Sequence, residues 1–364
     1  MKRIVITVSN DLFSDRRVGR IASTLHKTGY SVTLIGRRVK NSPPVVRGYK
    51  TVRYRLLFNK SFLFYACLNF RLFFDLLFRK FDIVVANDLD TLPACHIAAR
   101  LRSKKLVFDS HELFPEVPEL QDRPFVKSIW QRIEKIFVKR QKHCYTVCNS
   151  IANYYKEKYG VHFEVIMNVP EKQNIETDRS QVPEFPHPLL IYQGALNKAR
   201  GIEKIIFSMK YLQGFHFLVI GTGDIENELK ELAEAKGLGD KVIFTGRISP
   251  QLLPLYTSQA DIGISLEENI GLNYYYALPN KLFDYINAGV PVLVSSFPEM
   301  KRIVEEFNIG CHTTVSDPEK LAEIIFNIFN SENYNLWKQN TIVAARELNW
   351  DKESLKLLEI FNRI

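Results

Sequence analysis

Short, near-continuous apolar runs alternate along this chain with longer segments whose apolar positions recur every three or four residues. Runs at 3–8, 31–35, 81–86, 105–108 and 144–148, then 189–193, 216–220, 242–244, 260–264 and 289–294, read as parallel strands covered on both faces. Between them lie amphipathic helices. Segment 16–28 places Val18, Ile21, Ala22 and Leu25 on one face, and Gly29 stops it. Further helices are expected at 127–141, 150–158, 225–236, 252–258, 299–307, 318–329, 334–348 and 350–364, with a short strand at 164–167. Strand and helix in alternation predict an α/β chain with doubly wound parallel sheets. Segment 53–80 departs from the rhythm, interleaving Phe and Leu with Arg and Lys. Helical spacing gathers Phe62, Tyr65, Ala66, Asn69 and Phe73, which predicts a large core helix. A basic amphipathic surface touching a membrane fits the same residues.

A polar, proline-marked stretch at 171–188 divides the pattern. The expected plan is a first domain at 1–170, a linker at 171–188, a second domain at 189–347 and a terminal helix at 348–364. The length of 364 residues suffices for two such domains, and 46% hydrophobic with 24% charged residues describes an ordinary globular protein. Charge divides with the domains. Residues 1–170 hold 30 Lys and Arg against 14 Asp and Glu, whereas 171–364 hold 19 against 26. An anionic partner for the first half is one reading, and a basic solvated face is the other. The five cysteines (67, 95, 144, 148, 311) form no CxxC pair and are expected as reduced thiols. No signal peptide is expected, because Asn10 and Asp11 interrupt the first apolar run. No membrane span is expected either, since Lys60, Arg71 and Asp75 break the stretch 56–78.

Candidate chemistry falls at strand ends. In 263–296 a buried strand leads through a polar, aromatic loop to Pro279, expected at the first helical position, and Gly289 stands past the helix end. Asn280, Lys281 and Asp284, three or four apart, share one face. A cation and free amides at a helix N-terminus suit a phosphate, and a carboxylate one turn on could hold ribose hydroxyls. A capped helix with a solvated polar face fits the same spacing. In the first half, the strand at 105–108 opens into Asp109-Ser110-His111-Glu112, a His among carboxylates where open sheets place ligands. Asp88 or Asp90 is expected to cap a helix from Thr91. The first loop lacks GxGxxG, so no dinucleotide is expected there.

The segment PNKLFDYINAGVPV resembles the donor-site helix of retaining GT-B glycosyltransferases of the family 4 type. Asp284 stands where that family carries a Glu, five residues before the Gly. Tyr276 stands where its pattern has a second Glu, which Glu267 or Glu268 from a longer loop could replace. VFDSHELFPE is similar to the family's first-domain loop, whose His lies near the donor sugar. At 194–204, Arg200 matches a phosphate-binding Lys of the family. Ala195 replaces its Arg, with Lys198 and Lys204 available to restore that charge. Asp88-Leu89-Asp90 looks like the metal-binding DxD of another glycosyltransferase fold, on three residues only.

The resemblance implies two doubly wound Rossmann-like domains facing across a cleft, the last helix crossing back to the first. It implies transfer of a sugar from a nucleotide-sugar to a glycan or lipid-linked acceptor with retention. His111 and Arg200 are the catalytic candidates. Gly194, Arg200, Lys204, Gly221, Arg247, Asn280, Lys281 and Asp284 would bind the donor, and Asp15, Arg16 and Glu112 would lie on the acceptor side. No metal or cofactor is expected, and no nucleic-acid motif is visible. The expected location is cytoplasmic, peripheral on the inner face of the cell membrane, with an anionic membrane surface as a candidate partner. The competing functions are a non-catalytic nucleotide-sugar-binding protein at the membrane, a same-fold epimerase and an inverting transferase.

Overall fold

A computed structural model describes residues 1–13, 15–172 and 179–364. Residue 14 of the first loop and residues 173–178 of the expected linker lie outside the described residues. The chain forms two compact units, Met1–Asn168 with Glu353–Ile364, and Val169–Lys352.

The first unit is built on a seven-stranded parallel sheet. Its strands are β1 (Arg3–Asp11), β2 (Ser31–Arg37), β3 (Lys50–Tyr54), β4 (Ile83–Asn87), β5 (Lys105–Ser110), β6 (Cys144–Thr146) and β7 (Glu164–Val165), in spatial order 3-2-1-4-5-6-7. The order reverses between β1 and β4, which creates a crevice at their carboxyl ends. One strand of this sheet differs from the expectation. β3 lies where no strand was expected and overlaps the segment 53–80 only at its last two residues, whereas β7 falls within the short strand expected at 164–167. Half-exposed edge strands such as β3 lack the continuous apolar run that marks a central one.

The helix Ser61–Phe78 buries Phe64, Leu68, Leu72 and Leu76, a strict four-residue repeat. The expected cluster of Phe62, Tyr65, Ala66, Asn69 and Phe73 is therefore not its core face, and Phe62 is 74% exposed. So apolar a helix offers several equivalent stripes, and only docking against its neighbours, chiefly the helix Leu92–Leu101, selects one. This is also the one described helix long and apolar enough to cross a membrane by length and composition. The last helix, Trp350–Asn362, joins the first unit from Glu353 onward. There Glu353 accepts the Met167 N–H (2.8 Å) and Arg363 pairs with Glu164 (2.7 Å).

The second unit carries a six-stranded parallel sheet of β8 (Leu189–Gln193), β9 (His216–Ile220), β10 (Val242–Gly246), β11 (Ile262–Ser265), β12 (Val292–Ser295) and β13 (Gly310–Thr313). The order is 10-9-8-11-12-13, with its reversal between β8 and β11. β13 has no counterpart among the expected strands. Its neighbour β12 supplies the backbone partners that its own four residues do not advertise. Leu190, Tyr192, Phe217, Ile262 and Leu293 form one core cluster of this unit with flanking helices.

Candidate functional site

Both reversals collect polar side chains, and each is described within its own unit. In the first, β5 ends in Asp109, whose side chain is fully buried. Arg17 donates to it (3.1 Å) and to the Ile166 carbonyl (2.9 Å), and His111 Nε2 lies 2.7 Å from its other oxygen. Asp88, past the end of β4, accepts the His111 backbone N–H at 2.7 Å and lies 3.3 Å from Nδ1. Burial works against a charged imidazole, but Asp109 and then Asp88 outweigh it and raise His111 well above its usual value. Burial also pushes Asp109 upward, and Arg17 and His111 prevail to hold it low. Both ring nitrogens of His111 thus face carboxylates, which favours its charged form. Burial, aided by the charge of Asp88, raises Asp90 to about 8, which favours its neutral form.

These contacts correct the capping assignment. Thr91 is the N-cap of the helix Leu92–Leu101, and its hydroxyl donates to the Asn87 carbonyl. Asp88 serves His111 instead. Asp15 caps the helix Arg16–Lys27 by accepting the Val18 N–H (3.0 Å), while Arg16 is exposed. Its neighbour Arg17 reaches the cluster and was missed. The signal was available, because Arg17 lies four residues before Ile21 and eight before Leu25 on the inward face. Glu112 lies beside the cluster half-buried, its carbonyl accepting from the Ser110 hydroxyl.

In the second unit the loop after β8 runs from Gly194 to Gly201, the cap of the short helix Ile202–Ser208. Gly221 follows β9 with φ of +140°, and a Cβ there would lie 1.8 Å from the Gly194 carbonyl oxygen. Only glycine lets these two loops cross so closely. Gly201 is equally constrained, with φ of +72° and a Cβ position 2.0 Å from the Leu266 oxygen. It presses the Arg200 turn against the end of β11.

There Glu267 is buried. It accepts from Lys281 Nζ (2.8 Å) and from the Ser265 hydroxyl (2.8 Å), with Arg200 at 3.9 Å. Burial favours the neutral carboxyl, yet Lys281 and Arg200 hold Glu267 below its usual range. Burial lowers Lys281 more than Glu267 raises it. Lys281 also sits 4.0 Å over the Tyr192 ring, and Arg200 4.8 Å over that of Tyr274.

The helix Asn280–Asn287 is capped by Pro279, which has extended ψ and so precedes rather than opens it. Asn280, Lys281 and Asp284, expected to share one helix face, differ in exposure and partners. Asn280 is exposed, Lys281 turns inward to Glu267, and Asp284 accepts from Gln193 Nε2 (2.8 Å). Gln193 is fixed in turn by the Thr257 hydroxyl (2.7 Å). Lys204 pairs with Glu268 (3.0 Å), and Arg247 is exposed just beyond β10. Glu267 thus belongs to one cluster with Arg200 and Lys281, whereas Glu268 faces Lys204. Among the described residues no group of three or more His, Cys, Asp or Glu is placed to hold a metal ion.

Two doubly wound parallel-sheet units, each with charged residues at its strand reversal, define a GT-B glycosyltransferase fold. Residues 14–170 match the family model Glycosyltransferase Family 4 and residues 174–344 match Glycosyl transferases group 1, so the chain is a GT-B glycosyltransferase resembling family 4. A chitobiosyldiphosphodolichol beta-mannosyltransferase of Debaryomyces hansenii is 22% identical over 98% of this chain and 88% of its own length. An uncharacterized glycosyltransferase of Methanocaldococcus jannaschii is 25% identical over 55% of this chain, which spans about half (51%) of that relative. Among solved structures, sucrose-phosphate synthase from Thermosynechococcus elongatus superposes with a TM-score of 0.82 at 16% identity, covering 100% of this chain and 99% of that one. Anabaena Alr3699/HepE, solved in complex with UDP, superposes with 0.76 at 15% identity over the whole of both chains.

Proposed function

We propose that this chain transfers a sugar from a nucleoside-diphosphate sugar to a lipid-linked glycan or polysaccharide precursor, with retention of configuration. One observation carries the reading. Arg200 and Lys281 converge on a single buried carboxylate, Glu267, at the carboxyl end of β11, leaving the cluster with an excess of positive charge. A cation excess fixed in place before the ligand arrives stabilises a leaving diphosphate as its charge develops. Asp284, oriented by Gln193, accepts from ribose hydroxyls. His111, charged and donating, positions substrate in the first unit and is not free to act as a base, which favours a retaining route with the leaving phosphate taking the acceptor proton. The HepE complexes with UDP and UDP-glucose support a uridine donor, and the dolichol-linked name of the yeast relative supports a lipid-linked acceptor.

Calorimetric titration with UDP and GDP, followed by NMR of the product anomer, tests this. Binding of neither nucleotide would sink the donor site, and an inverted product would replace the retaining route. Asp284→Ala is expected to weaken nucleotide binding by about 1.5–3 kcal/mol, the loss of a hydrogen bond to a charged group, at unchanged melting temperature. Nucleotide affinity equal to that of the wild type would remove Asp284 from the site.

Transfer is further expected to persist in EDTA, because Arg200 and Lys281 supply the positive charge a divalent ion would otherwise bring. The measurement is initial rate with and without chelator. Complete loss restored by Mn²⁺ would point instead to a carboxylate-held metal.

A further inference from the structure

Two cavities adjoin on the first unit's surface, beside β3 and the helix Ser61–Phe78. One, of about 660 Å³, is lined by Arg38, Arg53, Arg55 and Arg71 with Ser42 and Pro44. Arg53 is neutralised by Asp11 at 2.9 Å. Arg71 stacks 4.4 Å over the Tyr54 ring and donates to the Arg55 carbonyl, with no acidic partner among the described residues. Arg38 and Arg55 are exposed and likewise lack one. Three uncompensated guanidinium groups thus face one cavity.

The other cavity, of about 900 Å³, is walled mainly by apolar side chains, among them Val52, Leu56, Leu57, Ala66, Phe70 and Phe74. Phe70 and Phe74 hold their rings 4.7 Å apart, and both are exposed. Arg55 and Arg71 line both cavities, so the arginine chamber opens directly onto the apolar one.

We propose that this pair of chambers binds a phospholipid of an anionic bilayer, phosphate among the arginines and acyl chain along Phe70 and Phe74. Guanidinium groups match phosphate oxygens in fork geometry, and a wall that is mainly apolar, its Asp75 paired with Arg79 (2.8 Å), suits an acyl chain better than a free sugar or inorganic ion. The site extends the lipid-linked acceptor reading by stating how the enzyme reaches its membrane, and it shares no residue with the cluster of Arg200, Glu267 and Lys281.

Sedimentation of the full chain with phosphatidylglycerol–phosphatidylcholine vesicles tests it. Wild type should bind, and Arg38→Glu/Arg55→Glu and Phe70→Ser should each bind at least fivefold less. Arg132→Glu/Lys135→Glu, an equal charge change at exposed positions of the same unit, should change binding less than twofold. UDP titration of each variant should match wild type, so failure of the lipid site is distinguishable from failure of the donor reading. An equal loss in the control pair would reduce the site to a diffuse basic face. Binding only when vesicles contain a polyprenyl phosphate, and not with phosphatidylglycerol, would overturn the proposal in favour of an acceptor subsite. Capture of RNA at the same positions, with no vesicle binding, would overturn it as well.

Discussion

Replacing Arg200 by Ala is expected to lower sugar transfer by about 100- to 1,000-fold, the cost of removing one preorganised group from a developing oxyanion. Arg200 is the more exposed of the two cations in the proposed donor cluster, 25% against 7% for Lys281. Lys281 is pulled down by burial and is engaged by Glu267 at 2.8 Å, whereas Arg200 stands off at 3.9 Å with its guanidinium partly open to solvent. Ground-state binding of the nucleotide should fall much less than turnover, because the diphosphate gains its extra charge only as the glycosidic bond breaks. The check is kcat against the dissociation constant for UDP, measured on the same preparation. An Arg200→Ala enzyme with wild-type turnover would move the leaving-group role elsewhere. A loss of binding as large as the loss of turnover would make Arg200 a uniform phosphate contact.

The largest effect on stability is expected from Asp109→Ala. Its carboxylate is fully buried between Arg17 and His111, and removing it leaves two buried cations with one acidic neighbour, Asp88. Breaking such a pair by deleting one partner costs about 3–5 kcal/mol, which urea unfolding would read directly. A shift in stability below about 1 kcal/mol would show the cluster to be dispensable for folding. The same cluster sets a pH dependence. His111 has its folded pKa raised, so its stabilising contribution is complete below the unfolded value near 6.5 and is lost as pH rises through the higher folded value. Asp109 has its folded pKa lowered, so its contribution is present above about 4 and is lost as pH falls toward the folded value. His111→Ala should therefore abolish the alkaline loss while leaving the acid limb.

Much of the local structure around Arg200 and Lys281 was legible in the sequence. Pro279 and Gly289 bracket a helix that forms within a residue of its expected bounds, and the Arg200-Gly201 turn lies in the loop that follows the expected strand. What could not be read there was pairing. Glu267 and Lys281 are fourteen residues apart, and Arg200 is sixty-seven residues before Glu267. No local spacing relates them until β8 and β11 lie side by side. Periodicity placed Lys281 on one face with Asn280 and Asp284 because it sees only the angle around the helix, not the Glu267 carboxylate that the loop after β11 brings to it.

The first unit shows the same division. An apolar repeat in Arg16–Lys27 marked its inward face, and Arg17 lies on that face by arithmetic. Its charge argued for solvent until the fold supplied Asp109 across the sheet. In Ser61–Phe78 nearly every position is apolar, so the sequence determined a helix without selecting its buried stripe. Burial of Leu68, Leu72 and Leu76, with the helix packed chiefly on Leu92–Leu101, decided it and left Phe70 and Phe74 outside. Strand and helix identity thus came from short-range period and breaker residues, which act through backbone sterics within a few positions. Which charges meet, and which apolar face stays open, was decided by the order of strands in each sheet, because only that order brings distant carboxyl ends to one crevice.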